Sequence, residues 1–209
     1  MQKGHIGAVV SLAGMVLCWV ATARAADAVI GSVLAVRGSV FADSGAGSQA
    51  LTTNAPLHRG DTVVSSAGKV KIALHDGSII SVAENTRLRL ADHENTPGSV
   101  KARIKLISGA LRLFVARITP TGTFEIETET AIAAVRGTDW VIEATPERTA
   151  VAVLRGVVAV TGRAAQAPAT VMLRSPGHGT DVRVGSAPTP AKPWGASRLA
   201  DLLARVAFD

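Results

Sequence analysis

From Ala28 to about Gly185, apolar residues recur at every second position, and Gly, Asn, Asp and Pro cut the runs short. Period two places one face of an extended chain in a core and the other in solvent. Leu88 and Leu90 alternate with Arg87 and Arg89; Phe124, Ile126, Thr128 and Thr130 alternate with Glu125, Glu127 and Glu129. Ile72 and Leu74 lead into Asp76-Gly77 and Ile79 leaves it, a strong hairpin signal because Gly accepts positive φ. Around Gly38, Gly77, Gly109 and Gly156 the same local pattern returns, with apolar residues five and three positions before the glycine and two after it. The intervals are too uneven for a strict solenoid. The expectation is an all-β domain over 28–185, built as a two-layer or rolled β-sheet, with a β-solenoid-like coil as the alternative.

The two ends differ from this middle. Lys3, the uncharged apolar run Ile6 to Val20, and Ala23-Arg24-Ala25 read as a signal peptide over 1–25, cut after Ala25. That predicts a periplasmic protein; an uncleaved N-terminal membrane anchor is the other reading. Cys18, the one cysteine of the 209 residues, falls inside the leader. The mature chain then has no disulfide, no thiolate metal site and no thiol chemistry. Cleavage removes Lys3 and Arg24 and no acid, so the formal charge falls from +6 to +4. Pro188, Pro190 and Pro193 mark a stiff linker over 186–196. Over 197–209, Ser197 can cap a helix whose apolar face holds Leu199, Leu202, Leu203 and Val206, with Arg205 in its last turn. So short a helix needs a surface to dock on. Its own β domain and a partner protein are the two options.

Catalytic patterns are missing. His58, His75, His93 and His178 show no metal-ligand spacing and read as exposed loop histidines. His75-Asp76 could belong to a hydrolase triad, but Asp76 is explained by its turn, and no G-x-S-x-G elbow occurs. No phosphate-binding loop is present, and the reading is of a non-enzyme without cofactor or metal. The basic residues are spread along strand faces and the chain has no Tyr, which argues against nucleic acid as a partner. Two opposed ladders, Lys101/Arg103/Lys105 and Glu125/Glu127/Glu129, would form cross-strand ion pairs if their strands are neighbours. The glutamates alone are spaced too widely along a strand to converge on one cation without loop ligands.

The most individual stretch runs from Thr130 to Glu143 and contains Arg136-Gly137-Thr138-Asp139-Trp140. Following five apolar residues, Arg136 reads as a buried arginine pinning a strand corner, with Asp139 within reach, Gly137 at the bend and Trp140 as a core anchor. A ligand or partner hotspot is the alternative. This run resembles the signature of the FecR family of periplasmic regulatory domains, in which R-G-T followed by an acid and an aromatic recurs. Gly31 to Gly38, Leu57-His-Arg-Gly-Asp-Thr62, Leu74-His-Asp-Gly-Ser78 and Val153-Leu-Arg-Gly-Val-Val-Ala-Val160 resemble other pieces of that family in the same order. The likeness spans residues 31 to about 162.

The resemblance implies an all-β periplasmic domain that takes part in signalling. Iron-regulating members pass a signal to a cytoplasmic sigma factor through an anti-sigma segment and a membrane helix ahead of the β domain. Here the residues ahead of the first strand read as a signal peptide, so no direct sigma-factor contact is expected. The function expected is a non-enzymatic signalling or scaffold module that binds a protein partner in the cell envelope, a membrane sensor or an outer-membrane protein. Strand addition at an open sheet edge is the expected mode. The alternative is a small-ligand or glycan-binding β domain.

Overall fold

The computed structural model describes residues 28–45, 47–96, 99–116, 122–164 and 168–208. The predicted signal peptide lies outside them. Among the described residues, fifteen strands join in one sheet, which folds back on itself to give two layers, and no helix is long and apolar enough to cross a membrane.

Several strands are long enough to serve both layers. β1 (Val29–Ser44) pairs through its first half with β3 (Pro56–His58) and through its second with β2 (Gly47–Ala50). β4 (Thr62–Leu74) runs antiparallel to β1 along its length. The first half of β4 pairs with β6 (Thr86–Thr96) and its second half with β5 (Ile79–Val82). β7 (Ser99–Phe114) divides in the same way, pairing with β6 before Gly109 and with β5 after it.

The first layer then continues from β7 through β8 (Thr123–Glu127), β9 (Ala131–Val135) and β12 (Val158–Gly162) to β13 (Thr170–Leu173). The second continues through β10 (Asp139–Ala144), β11 (Arg148–Arg155) and β14 (His178–Arg183) to β15 (Lys192–Pro193). All pairs are antiparallel except β7 with β8. β8 runs beside the first half of β7, from Lys101 to Lys105, in the first layer.

Period-two alternation feeds one core between the layers. Ile104, Leu106, Phe124, Ile126 and Val160 from the first layer meet Ile72, Ile80, Leu111, Trp140 and Val151 from the second, all essentially without solvent contact. A buried hydroxyl group of contacts ties the layers as well. Thr149 Oγ1 on β11 lies 2.7 Å from both Thr128 Oγ1 and Thr130 Oγ1 at the β8–β9 turn.

Three of the four glycines at the centre of the repeated pattern, Gly38, Gly109 and Gly156, lie where the chain passes between layers; Gly77 sits in the β4–β5 hairpin. Gly109 is the clearest case. Its φ is +102°, and a methyl group in place of its hydrogen would lie 2.2 Å from Thr86 Oγ1. That hydroxyl is itself held in place, since it accepts from the N–H of Ala110 at 3.1 Å while the Thr86 N–H donates to Ser65 Oγ.

Three of the four histidines expected in exposed loops lie in strands instead: His58 in β3, His93 in β6 and His178 at the start of β14. Only His75 is an exposed turn residue. The His93 side chain is 3% exposed, packed beside Asp76. Turn-forming neighbours in sequence misplaced these residues, because His58 and His178 stand at strand ends and β6 continues through the polar residues around His93.

The tail docks on its own domain. Helix α1 spans Ala196–Val206 with Gly195 at the N-cap position; Ser197 lies inside the first turn and makes no cap bond. The segment before it is held down: β15 pairs with β14, and Thr189 Oγ1 accepts from the Asp181 N–H. Leu199, Leu202, Leu203 and Val206 pack on a floor of Ala83, Ala110, Ala150 and Ala152 on the outer face of the second layer. Trp194 lies flat on Gly179, where any side chain would overlap its ring. Ion pairs ring this joint. Arg198 grips Asp181 through two bonds of 2.9 and 2.6 Å and lies over the Trp194 ring, Arg205 pairs with Glu143, and Lys69 Nζ donates to the Ala204 and Ala207 carbonyls.

Burial alone would raise the Asp181 carboxyl, but the Arg198 fork, with Arg148 and Lys192 nearby, more than reverses this and holds it below its ordinary value of 3.8. A lowered folded-state value stabilises the docked helix fully above that ordinary value and is lost as pH falls through the lowered one. Hydrogen-exchange protection factors in α1, corrected for the intrinsic pH dependence of exchange, should therefore be high at pH 6 and fall below pH about 4, and Asp181→Asn should remove most of that pH dependence. At the bend, Gly109→Ala should cost about 3 kcal/mol in urea unfolding, since it combines a disfavoured φ with overlap on Thr86.

Candidate functional site

The signature residues sit at a corner between layers. β9 ends at Val135, the chain turns through Arg136-Gly137-Thr138, and β10 begins at Asp139 in the other layer. The return corner between β11 and β12 lies alongside. Gly137 has φ +97° and Gly156 φ +99°, and the Thr138 hydroxyl bridges the two corners by donating to the Val157 carbonyl at 3.0 Å. Both glycines are required here, because a side chain on Gly156 would meet Gly137 and Thr138.

Trp140 is the expected core anchor, with 0% exposure, and its indole N–H has no hydrogen-bond partner among the described residues. Asp139 is held, but not by Arg136. Arg112 of β7 clasps it from Nε and Nη2 at 3.0 and 2.9 Å. This bond raises the Arg112 guanidinium further above its ordinary value despite partial burial.

Arg136 departs from its expected role. It is exposed, and makes no ion pair or hydrogen bond with any described residue. The alternation accounts for this: Val135 points into the core, so the next residue points out. Sequence proximity suggested Asp139 as its partner, but the layer change at Gly137 carries Asp139 to the opposite face of the molecule.

Around Arg136 the outer face of the first layer divides into two halves. Strand registers set side chains in rows across it. One row runs Asp92, Arg103, Glu125, Ala134, Ala159, Met172, and the next Lys105, Glu127, Ile132, Thr161, Thr170. The β6–β8 half is charged and internally paired: Arg103 Nε lies 3.7 Å from Glu125 and 3.3 Å from Glu127. Two rungs of the expected ladders face each other across a parallel pair of strands, Arg103 with Glu125 and Lys105 with Glu127; Lys101 stands opposite Thr123, and Glu129 lies beyond β8. At such exposure each pair contributes about 0.2–1 kcal/mol, so they favour register more than stability.

The β9–β13 half is small and apolar. A depression of about 370 Å³ lies there between Arg136, Ala134, Ala159, Val157 and Met172. Met172 is 40% exposed, and β13 pairs with β12 alone, leaving its other edge open among the described residues.

The residue types of a hydrolase do meet once, in an arrangement unsuited to catalysis. Ser78 donates to Asp76 from both its N–H and its hydroxyl, at 3.0 and 2.9 Å, and the same hydroxyl accepts from the Ala116 N–H. His93 Nε2 is 3.7 Å from Asp76, too far for a hydrogen bond. Burial would raise the Asp76 carboxyl, but the His93 ring and the Ser78 bonds outweigh it and lower the value. The serine hydroxyl is buried and bonded to the carboxylate instead of the imidazole, so nothing here activates a nucleophile. Neither described tryptophan offers a sugar-stacking surface: Trp140 is in the core and Trp194 lies under Arg198.

Residues 61–159, which hold both corners and most of the two-layer sheet, match the profile of the family described as FecR protein. The chain carries a FecR domain. The fold recurs in two crystal structures of a candidate anti-sigma factor from Parabacteroides distasonis ATCC 8503, at 21% and 20% identity with TM-scores of 0.53 and 0.54. Each alignment covers 67% of this chain and 62% of that one. No curated protein matches the sequence.

Within this FecR domain, the corner predicts a split between structural and surface residues. Arg136→Ala should leave the unfolding free energy from urea titration within about 0.5 kcal/mol of wild type. Asp139→Ala should destabilise by about 1 kcal/mol, discounted for the half-exposed Arg112. Equal losses for the two substitutions would mean that Arg136 has a structural role.

Proposed function

We propose that this chain is a non-catalytic regulatory module of the cell envelope that works by binding a protein partner, with the β9–β12–β13 face and the open β13 edge as its contact surface. The FecR domain supports the regulatory part of this reading. The observation that carries the binding part is the contrast between the two outer faces. The second layer hides its small-residue floor under α1, whereas the matching floor of Ala134 and Ala159 on the first layer has no cover among the described residues. An exposed apolar surface beside an unpaired edge is a liability that a partner removes. The leader-like residues 1–25 support export to the periplasm, where a membrane sensor or an outer-membrane protein is in reach. A sigma factor is not the proposed direct contact.

Crosslinking of the tagged chain in intact cells, followed by purification from the envelope fraction, tests this. One discrete crosslinked protein should appear, and should be lost when Ala159→Glu places charge on the floor. Recovery of the uncrosslinked chain alone, under several growth conditions, would refute the reading.

A further inference from the structure

We infer that the partner contributes an extended, acidic segment, which adds to the sheet along β13 and sets a carboxylate against Arg136 and Arg174. This rests on the protein-binding reading above and specifies what binds.

The ladder defines which backbone groups are free. The Gly162 N–H donates to the Ala169 carbonyl at 3.0 Å. In an antiparallel pair, bonded and non-bonded positions alternate, so Val171 and Leu173 exchange bonds with Val160 and Val158 of β12. The N–H and C=O groups of Thr170 and Met172 therefore point away from β12, toward the open edge. An added strand would bond to those two residues.

Charge selects the kind of strand. Arg136 and Arg174 each follow a core residue, Val135 or Leu173, and those two flank Val158 in one row. β9 and β13 run in the same direction, so both arginines leave the sheet at the same end, on strands about 10 Å apart, with exposed Val157 between them. Arg174 is exposed and, like Arg136, has no ion pair or hydrogen bond with a described residue. Glu125 and Glu127 on the same face are already engaged by Arg103. This end of the face thus has two cations without counter-charges beside an apolar floor, which fits an acid-bearing segment with small apolar residues at alternate positions.

The protein already contains one joint of this type. On the second layer, an apolar segment packs on alanines and a glycine while arginine–carboxylate pairs ring the contact.

The test uses the full mature chain and two eight-residue peptides of alternating Val and Thr, one carrying two Glu near one end and the other two Lys. Anisotropy titration should give saturable binding of the Glu peptide only, and NMR should place the perturbed amides at Thr170 and Met172. The double variant Arg136→Glu, Arg174→Glu should weaken the Glu peptide about tenfold or more and admit the Lys peptide. Met172→Pro removes one outward N–H while sparing the β12 ladder, and should abolish binding where Met172→Ala only weakens it. Both variants are to be compared at unchanged melting temperature; a variant that fails to fold leaves the arginine pair as the deciding arm.

Equal binding of both peptides, no saturation by either, or perturbation confined to other strands would overturn the inference. So would a dimer in sedimentation that Met172→Pro dissolves, which would make a second copy the occupant. A partner still crosslinked in the envelope while the peptides fail would sink this surface and leave the protein-binding reading standing. Absence of both would end the two together.

Discussion

The bend of β7 at Gly109 is the constraint on which the rest of the molecule depends. One strand supplies hydrogen bonds to β6 and β8 before the glycine and to β5 and β10 after it. Each layer therefore inherits its register from the same backbone. If the bend were displaced by one residue, every side chain beyond it would exchange core for solvent. Thr86 fills the space that a side chain at position 109 would need, and Ser65 holds Thr86. The bend is thus set by a hydroxyl pair as much as by glycine itself.

The same solution recurs at the signature corner. Gly137 and Gly156 let two neighbouring chains change layers side by side, and the Thr138 hydroxyl links them. The clustering of Arg136, Gly137, Thr138, Asp139 and Trp140 then separates by direction. Trp140 turns inward, Asp139 joins Arg112 on one outer face, and Arg136 emerges on the other. A short sequence motif supplies an anchor, a brace and a surface cation to three different places.

Much of the fold was legible, because period-two alternation states directly which residues face the core. Ile104, Leu106, Phe124 and Ile126 are buried as that pattern requires, and two rungs of the charged ladders opposite them do meet. The site was legible only in part. Trp140 was identifiable as an anchor by its size and scarcity. Arg136 was misread as buried because five apolar residues before it suggested a hydrophobic setting, whereas alternation across the end of β9 turns it outward. His93 was misread in the opposite sense: its polar neighbours suggested a loop, yet it packs against Asp76. The Met172 edge gave no sequence signal, since a terminal strand and a central one share the same alternation.

What the amino-acid order determined by itself was local: strand periodicity, the glycine bends, the amphipathic tail, the lack of catalytic spacing and the family-like signature. These depend on neighbours within a few residues, where backbone sterics and side-chain alternation act. Only the tertiary structure decided which half of a face stays uncovered. Both layers carry alanine floors, and nothing in their composition tells them apart. The tail reaches one of them because β14, β15 and Trp194 deliver it to the second layer, where Asp181 and Glu143 await its arginines. The other floor, with Arg136 and Arg174 unpaired beside an open strand, is left to solvent or to a partner because no described segment of the chain reaches it.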